Sequence, residues 1–367
     1  MRYLFVVQGE GRGHFTQTLS LKAMLERNGH TVVAVMVGSS AKRTLPDFFA
    51  KKIDTEIIRF QSPNFLPTPK GKGSPLLISI LYNLLLLPVY IQSLFTIRKT
   101  IVDKKPDVVV NFYELLCGVT YGVFNPGPPM INVAHQYYFL TPDFNYKGRN
   151  RIQFNLLNGY TRFTAWNSSK ILALSFRSSE VNRYGKIVIV PPLLRKEVIH
   201  YKTHKGNYIH GYLLNSGYSA ELTAWSKRNP QTELHFFWDK KNVKESESLT
   251  PTLTMHTLSD TLFLEYMAGS KAYATTGGFE SVCEAMYLQK PVLMVPTHIE
   301  QECNVMDALQ SGIGVSANEF DLDLLLDFVP KYKKTLEFNY WVHTAESLFM
   351  NELSRIEPQH SSVLVTL

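Results

Sequence analysis

The chain has 367 residues, 45% of them hydrophobic, and no low-complexity tract, so it is long enough for two globular domains and is not a disordered protein. Its three cysteines are odd in number and fit no metal-binding spacing, which argues against a disulfide framework and indicates free thiols in a reducing compartment. The formal net charge of +7 is divided unevenly: residues 1–195 have 24 Lys and Arg against 10 Asp and Glu, and residues 196–367 have 14 against 21, which together make the 38 basic and 31 acidic residues of the chain. A basic first half indicates an anionic partner, such as nucleic acid, a membrane surface or a phosphorylated substrate.

The first elements form a βαβ unit with a glycine-rich turn. Residues 3–8 form an apolar run typical of a strand, residues 16–28 have helical spacing, and residues 31–37 predict a second strand. The turn between strand and helix has the sequence GEGRGH. A dinucleotide fingerprint would require GxGxxG and an acidic residue after the second strand, and that acid is missing here. The candidate site residues of the turn are Glu10, Gly11, Gly13 and His14. Because polar and glycine residues interrupt the first apolar run, no signal peptide is recognisable and we expect a cytoplasmic location.

Strand and helix patterns alternate through the rest of the chain. Further strands are predicted at residues 56–60, 107–111, 130–134, 170–174, 187–190, 208–214 and 233–238. Pro191 and Pro192 mark a domain boundary. Candidate site residues follow three of the strands, namely Glu114, His135, and the pair Asn215 and Gly217. Helices are predicted at residues 320–328 and 340–356.

Residues 73–97 carry no charge and are long enough to cross a bilayer, which takes roughly 20 residues. Pro75 and Pro88 interrupt this run, and polar residues at near-helical spacing form one stripe along it. The flanking basic residues are Lys70, Lys72, Arg98, Lys99, Lys104 and Lys105. Three interpretations remain open: a membrane span, a buried core helix, and a membrane-facing helix or hairpin. A span would disrupt the surrounding sheet, and basic residues beside an apolar face favour binding to anionic lipid headgroups.

The most informative stretch is residues 275–305, TTGGFESVCEAMYLQKPVLMVPTHIEQECNV. A strand pattern leads into Gly277 and Gly278, a helical pattern covers residues 281–288, and a second apolar run follows between two prolines. A glycine turn that leads into a helix N-terminus binds anions, because unpaired backbone N–H groups and the helix dipole point at the ligand. Ser281 can add a hydroxyl donor.

Three polar side chains extend this candidate anion site. Glu284 lies one turn into the helix, where a carboxylate can accept hydrogen bonds from sugar hydroxyls. Glu300 and Gln301 follow the next strand, at the carboxyl end where α/β ligands bind. A purely structural interpretation also exists, because Ser281 and Glu284 have the spacing of a capping box.

Residues 275–305 resemble the donor-site signature of GT-B glycosyltransferases of the glucuronosyltransferase and MurG kind, roughly HGGxGTxxEAxxxGxPxxxxPxxxDQxxNA. The positions in register are Gly277, Gly278, Ser281, Glu284, Ala285, Pro291, Pro296, Gln301 and Asn304. Glu300 stands where Asp is usual, Thr276 where the family often has a phosphate-binding His, and Glu280 where Gly is common. We expect the Glu280 side chain to point away from the anion site. The GEGRGH turn resembles the first loop of the same enzymes, which a His ends.

The resemblance implies an α/β fold of two Rossmann-like domains that face each other across a cleft. Residues 1–195 would form the acceptor-side domain and residues 196–339 the donor domain, and a C-terminal helix at about 340–367 would cross back to the first domain. The resemblance also implies that Gly277, Gly278 and Ser281 hold the donor diphosphate. In the same family Glu284 corresponds to the ribose ligand, and the pair Glu300 and Gln301 to the ligands of the donor sugar.

The implied activity is hexosyl transfer from a nucleotide-diphosphate sugar, first of all a UDP-sugar, to a hydroxyl acceptor, with inversion and without a metal. The donor is a substrate, so no cofactor is expected. A base must take the acceptor proton, and His14 is the leading candidate. Glu114 could orient His14 or serve as the base itself, and Glu10 and His135 are weaker rivals. Asp321 and Asp323 mimic a metal-binding DxD, but they lie at a predicted helix start, where carboxylates favour the dipole.

MurG-like enzymes are peripheral membrane proteins, which agrees with the basic first half and the uncharged segment at residues 73–97. We therefore expect a lipid-linked acceptor and contact with the cytoplasmic face of a membrane. Two rival functions stay open. One is a GT-B-fold epimerase or hydrolase of nucleotide sugars. The other is a nucleic-acid-binding protein, although no recognised binding motif occurs and we expect no nucleic-acid partner.

Overall fold

The computed structural model describes residues 1–41, 43–64, 82–204, 206–213, 216–238 and 245–356. Within these residues the chain forms two mainly parallel sheets, one in each half of the chain, with helices between successive strands. Strand and helix alternate because each apolar run of about five residues is followed by an amphipathic stretch that covers one face of the sheet.

The first sheet has eight strands in the order β3-β2-β1-β4-β5-β6-β8-β7, all parallel except the edge strand β7. Its strands are β1 (Arg2–Gln8), β2 (Thr31–Ser39), β3 (Ile57–Gln61), β4 (Val108–Phe112), β5 (Met130–Ala134), β6 (Lys170–Leu174), β7 (Arg183–Tyr184) and β8 (Ile187–Val190). Its helices are α1 (Arg12–Arg27), α2 (Asp47–Lys52), α3 (Leu87–Lys104), α4 (Leu115–Phe124) and α5 (Arg151–Thr164), and a 3-10 helix covers His135–Leu140.

The second sheet has seven strands in the order β11-β12-β10-β9-β13-β14-β15, all parallel except the edge strand β11. After the short helix α6 (Lys196–His200), its strands are β9 (Tyr208–Leu213), β10 (Glu233–Trp238), β11 (Ser246–Thr250), β12 (Leu253–Thr257), β13 (Ala272–Thr275), β14 (Val292–Met294) and β15 (Gly314–Ser316). Its helices are α7 (Ser219–Arg228), α8 (Asp260–Gly269), α9 (Phe279–Tyr287), α10 (Ile299–Leu309) and α11 (Leu322–Phe328), and a 3-10 turn covers Ser216–Tyr218.

Among the parallel strands, each sheet reverses its strand order between β1 and β4 in the first and between β9 and β13 in the second; the antiparallel edge strands β7 and β11 add a further reversal at one edge. At such a point the turns after the two strands leave in opposite directions and open a crevice at the carboxyl ends, where ligands of α/β proteins bind. The predicted fold of two Rossmann-like domains is confirmed. The predicted boundary after residue 195 remains a prediction, and it falls in the connection between the sheets.

The C-terminal residues return to the first domain, as predicted, but in two helices rather than one: α12 (Glu337–His343) and α13 (Ala345–Ser354). Thr344 separates them, and its hydroxyl donates to the Trp341 carbonyl at 2.7 Å. Glu352 in α13 forms ion pairs with Lys170 at 2.9 Å and Arg183 at 2.7 Å. Phe349 and Leu353 of the same helix are buried.

The uncharged segment at residues 73–97 is described only from residue 82 onward. Its described part leads into α3, which packs beside β3 and buries Tyr90, Ser93 and Thr100 together with the apolar Ile97 and Ile101. The Tyr90 hydroxyl donates to Asn83, and the Ser93 hydroxyl donates to the Gln61 carbonyl at 2.8 Å. The apolar side chains Ile91 and Phe95 face outward. In the part of the chain that the structure describes, no helix is both long and apolar enough to cross a bilayer.

Candidate active site

The turn after β1 packs tightly on the end of β2. The Gly9 amide donates to the Gly38 carbonyl at 2.7 Å, and a Cβ on Gly9 would lie 2.8 Å from that oxygen, so only glycine fits. Glu10 accepts a hydrogen bond from the Ser40 amide at 2.6 Å, which fixes the turn from the other side. Gly11 then caps α1 with an extended backbone, and His14 lies in the first turn of that helix.

His14 is the titratable side chain that the β1 turn presents to the cleft. Its ring stacks on Tyr113, with the centroids 5.9 Å apart, and its Nδ1 lies 3.4 Å from Gln17 Oε1. Tyr113 follows β4 at φ +62, a strained conformation for a bulky residue, of the kind found at functional sites. Burial lowers the pKa of His14, and the Glu300 carboxylate opposes this shift. His14 is therefore mainly neutral near pH 7, as a general base must be.

Glu114 is fully buried and caps α4. Its Oε1 accepts hydrogen bonds from the Ser62 hydroxyl at 2.5 Å and from the Leu116 amide at 3.1 Å. Desolvation raises the pKa of Glu114 to about 7. Among the described residues, no hydrogen bond joins Glu114 to His14, and the polar side chain within hydrogen-bond distance of the imidazole is that of Gln17. The role of Glu114 as the base, or as the residue that orients His14, stays a prediction.

His135 lies at the junction of the domains and is enclosed. Its Nδ1 contacts the Leu174 carbonyl at 2.7 Å, and its ring stacks on Phe279 with the centroids 4.0 Å apart. Burial lowers its pKa to about 3, so the ring is neutral. Its Nε2 lies 3.7 Å from Asp307. This environment favours a packing role between α9 and the first domain over proton transfer.

The turn after β13 is built from backbone. Gly277 has φ +86, and a Cβ on it would lie 2.7 Å from the Val305 side chain. Helix α9 begins at Phe279, and its N-cap residue is Gly278, which has no side chain to cap the backbone N–H groups. The capping-box interpretation is wrong, because Ser281 lies inside the helix and its hydroxyl donates to the Gly278 carbonyl at 3.2 Å. A helix start without a side-chain cap leaves backbone N–H groups for an anion.

Glu284 is 3% exposed and forms an ion pair that the sequence did not predict. Arg195 Nε donates to its Oε1 at 2.6 Å, and the same guanidinium lies 3.7 Å from Asp260. Arg195 follows the last strand of the first domain, so the link ties the connection between the domains to the donor helix. The Arg195 guanidinium thus holds the Glu284 carboxylate in place in the second turn of α9, where a ribose ligand is predicted.

The predicted sugar ligands make different contacts. Glu300 accepts from Gln136 Nε2 of the first domain at 2.9 Å. Gln301 is nearly saturated: its Oε1 accepts from the amide and the hydroxyl of Thr297, and its Nε2 donates to the Thr276 hydroxyl at 3.2 Å. Gln301 therefore orders the turns after β13 and β14, whereas Glu300 faces the cleft.

Glu280, which we expected to point away from the anion site, extends toward α1 of the first domain. Its Oε1 accepts a hydrogen bond from Gln17 Nε2 at 2.5 Å, and its stem lies against Gly13, where a Cβ would approach to 2.8 Å. The structure thus brings His14, Gln17, Glu280 and Glu300 together between the domains. Gln17 and Arg195 were missed by sequence reasoning. Gln17 could have been found, because it lies three residues after His14 on one helix face.

Of the two cleft candidates that follow β9, the structure describes only Gly217. Asn215 lies outside the described residues. Gly217 is exposed in the 3-10 turn that follows β9. That turn occupies the second domain's own switch point, opposite the turn after β13.

Two Rossmann-like domains whose switch-point turns meet, one with a candidate base and one with a candidate anion site, have the arrangement of a GT-B glycosyltransferase. The family model for glycosyl transferase family 1 matches residues 1–332. The chain belongs to this family, and the activity it shares with the family is sugar transfer.

Solved structures of the same fold are similar to the chain over most of its length. The chain is similar to a glycotransferase of kitacinnamycin, with a TM-score of 0.62, 15% identity, and coverage of 96% of this chain and 98% of that one. Phytolacca americana UGT2, complexed with UDP-2fluoro-glucose and pterostilbene, has a TM-score of 0.62 at 12% identity over 96% and 98%. Arabidopsis thaliana UGT89C1, complexed with UDP-L-rhamnose, has a TM-score of 0.61 at 14% identity over the same shares. At these identities the likeness shows the fold alone. Among curated proteins no sequence matches the chain.

Proposed function

We propose that this enzyme transfers a sugar from a UDP-sugar to a hydroxyl of a lipid-linked acceptor, with inversion and without a metal ion. The observation that carries the proposal is the meeting of His14, Glu300 and the start of α9 in one cleft. Residues 1–195 would bind the acceptor and residues 196–339 the donor. The donor is consumed as a substrate, so the reaction would need no cofactor.

The donor end of the proposal rests on α9. Backbone N–H groups at its start, with the Ser281 hydroxyl beside them, would bind the diphosphate. Glu284 would accept hydrogen bonds from the ribose. The UGT2 and UGT89C1 structures hold UDP-sugars, which supports uracil as the first base to test.

In the proposed reaction His14 Nε2 takes the proton of the acceptor hydroxyl as its oxygen attacks C1 of the sugar. The new C1–O bond forms on one face while the bond from C1 to the β-phosphate oxygen breaks on the other, so the configuration at C1 inverts. The electron pair leaves on the nucleoside diphosphate, and the N-terminus of α9 stabilises that charge. Glu300 stabilises the imidazolium until its proton passes to solvent.

The test is a donor screen with product analysis. UDP-sugars and other nucleotide sugars are incubated with lipid-linked saccharides and simple glycolipids that carry free hydroxyls, with and without EDTA. We expect a glycosylated product that forms only when the acceptor is present and whose anomeric configuration is opposite to that of the donor. Its yield should be the same with and without EDTA. Hydrolysis or epimerisation that needs no acceptor would overturn transfer to a hydroxyl, a product of unchanged configuration would overturn inversion, and loss of turnover in EDTA would overturn the metal-free step.

The lipid-linked acceptor is supported by an exposed apolar surface on the first domain, here called the α3–α5 surface. Its exposed side chains are Leu87, Ile91 and Phe95 of α3, Val123 of α4, Ile152, Leu156 and Phe163 of α5, and the following Trp166. The helices are joined at this surface, since the Phe95 and Phe124 rings lie 5.4 Å apart and Trp166 packs on Gly122. Ile152 is 76% exposed, which is unusual for a large apolar side chain in water.

Basic side chains border the α3–α5 surface. Arg98 lies over the Phe124 ring at 5.4 Å. Lys99 of α3 and Arg151 and Arg162 of α5 are also exposed. An apolar face bordered by cations binds an anionic bilayer, and each Lys or Arg near its surface contributes about 1 kcal/mol. The acceptor would then enter the cleft along α5, whose Tyr160 packs on Tyr113 beside His14.

Vesicle binding tests this surface. The protein should sediment with vesicles of anionic lipid, less with neutral lipid, and be released by high salt. Charge reversal at Arg98, Lys99, Lys104 and Lys105 should release it, whereas reversal of Lys227 and Arg228 on the second domain should not. Equal indifference to both lipids would indicate a soluble acceptor.

A further inference from the structure

The side chain of Gln17 connects the candidate base to the donor domain. It is 3% exposed and lies one turn after His14 on α1. Its Oε1 lies 3.4 Å from His14 Nδ1, and its Nε2 donates to Glu280 Oε1 at 2.5 Å. Glu280 is the second residue of α9, the helix whose N-terminus is the candidate diphosphate site. One amide group thus contacts residues of both domains.

The direction of these hydrogen bonds fixes the tautomer of His14. Gln17 Nε2 donates to Glu280 Oε1, so the amide oxygen is turned toward the imidazole. A carbonyl oxygen can only accept, so Nδ1 must carry the proton. The lone pair is left on Nε2, which is the nitrogen that a general base needs.

The contact with Glu280 requires that the domains be close together. Gly13 in the first turn of α1 has no side chain, and a Cβ there would lie 2.8 Å from Glu280 Cγ. The carboxyl stem of Glu280 fills that space. If α9 moved away from α1, Gln17 would lose its acceptor and its amide would be free to rotate. Glu280 Oε2 is buried and has no hydrogen-bond partner among the described residues, so Gln17 anchors this carboxyl group.

We propose that Gln17 is a positioning residue for His14, and that Glu280 of the donor helix holds Gln17 in place only when the two domains are closed. Closure of the donor domain thus makes His14 a competent base. This inference rests on the proposed function, because it concerns the same base and the same donor helix. It also gives a reason for an acidic residue at position 280, where the resembled signature commonly has Gly.

The surroundings of both titratable groups set the expected pH behaviour. His14 faces Gln17 on its own helix, Glu300 on α10 and the Tyr113 ring. The Gln17 hydrogen bond raises the pKa of His14, against the larger lowering by burial. Glu280 faces Gln17, Glu284 and Arg195, and desolvation raises its pKa to about 8. Its Oε1 can accept from Gln17 whether or not the carboxyl group is protonated.

The experiment measures turnover, donor KM and pH profiles of the full-length chain. Gln17→Ala and Glu280→Ala should each lower kcat about 10- to 100-fold, a usual loss for a misplaced catalytic group, with little change in donor KM. In Gln17→Ala the acid limb of the kcat/KM profile should move to lower pH, because a bond that raises the pKa of His14 is gone. Glu280→Gln keeps an acceptor oxygen and should retain turnover. The double variant should be no slower than either single variant.

A matched control separates this role from domain closure in general. Arg177 and Asp307 also join the two domains, with their atoms 2.6 Å apart, but neither contacts His14. Asp307→Asn should leave the acid limb in place. NMR of the His14 ring nitrogens should show the proton on Nδ1 in the wild type and a mixture of tautomers in Glu280→Ala. Position 280 is partly exposed, so this substitution should leave the core intact.

The outcomes are distinguishable. Loss of activity in His14→Ala together with unchanged kcat and pH profile in Gln17→Ala and Glu280→Ala would overturn this inference and leave the proposed function standing. Glu280→Gln that behaves like Glu280→Ala would also overturn it. Full activity in His14→Ala would instead refute the proposed base, and with it both proposals.

Discussion

The two sheets have the same order of parallel strands around their switch points, but the crevices there are lined by different groups. After β1 and β4 the first domain presents large side chains, with His14 stacked on Tyr113 and Glu114 buried behind them. After β13 the second domain presents Gly277, Gly278 and the uncapped start of α9. The first crevice is suited to moving a proton, because a titratable ring is held in it. The second is suited to binding charge, because backbone N–H groups point out of it.

This division also explains the distribution of glycine. In the first crevice glycine allows two strands' turns to touch, as Gly9 does on Gly38. In the second it gives the backbone a left-handed conformation, as Gly277 does at φ +86. Substitutions on the two sides should therefore fail in different ways: loss of chemistry on the first side, and loss of binding or folding on the second.

The largest expected effect is on the first side. His14→Ala should lower turnover on the order of 10²–10⁴-fold, the usual contribution of a general base, while nucleotide binding survives because the donor contacts lie on α9. Steady-state kinetics and nucleotide titration measure the two quantities. His343→Ala, which changes an exposed histidine on α12, is the control and should leave both unchanged. Full turnover in His14→Ala would remove His14 from the mechanism.

How much of this could be predicted depends on how local each feature is. The donor turn could be predicted, because glycines before a helix and a strand between prolines are contained in residues 275–305. The cap formed by Glu114 is also local, since the residue stands directly before α4, although its position after a strand led us to a catalytic interpretation. The break at Thr344 could not be predicted, because the apolar pattern continues across it.

Contacts between domains are beyond the reach of the sequence for a physical reason. Gln17 and Glu280 are 263 positions apart, and the Arg195–Glu284 pair depends on how the connection between the domains folds back onto α9. Periodicity reports which face of an element is buried, but not which distant element covers it. The residues that we missed are those whose partners lie across the cleft.

On the second side Gly277→Ala should destabilise the donor domain, because the left-handed φ alone costs about 1–3 kcal/mol and the new methyl group would overlap Val305. Gly278→Ala is the matched comparison, since Gly278 has φ −67 and its Cβ would have open space, with Ser281 Oγ nearest at 3.8 Å. We expect Gly278→Ala to keep its melting temperature but to bind the donor more weakly. Equal melting temperatures for the two variants would contradict the distinction.

Glu284→Ala should weaken nucleotide binding by about 1–3 kcal/mol, the usual loss for a hydrogen bond to a charged group. Calorimetry with UDP and with other nucleoside diphosphates measures it. Glu319→Ala, an exposed carboxylate of the same domain, is the control. Arg195→Gln should weaken binding less, because Glu284 remains but is no longer held by a cation. Unchanged affinity for every nucleotide in Glu284→Ala would reject the ribose assignment.

The smallest expected effect concerns acid stability and again separates the domains. Three histidines lie on neighbouring strands of the second sheet: His210 on β9, His235 on β10 and His256 on β12. Burial lowers the pKa of all three, that of His256 to about 4. Because their pKa values are lower in the folded state, there is a pH range in which these histidines are neutral in the folded state but protonated in the unfolded state. Protonation of these histidines therefore does not lower the free energy of unfolding above pH of about 6.5, the ordinary histidine pKa. As the pH falls from there toward 4, the free energy of unfolding decreases.

His256→Gln isolates this contribution from the acids whose pKa burial raises, such as Glu114, which shift stability in the opposite direction. Glutamine can still donate to His235 Nδ1, which lies 3.0 Å from His256 Nε2, but it takes up no proton in the unfolded chain. The difference in unfolding free energy between pH 7 and pH 5 should therefore shrink by on the order of 1–2 kcal/mol in this variant. Urea denaturation followed by tryptophan fluorescence measures it in a Trp166→Phe, Trp341→Phe background, where the remaining tryptophans, the buried Trp225 and Trp238, report on the second domain. A pH difference equal to that of the wild type would show that the second sheet accommodates a charged His256 and that its acid sensitivity arises elsewhere.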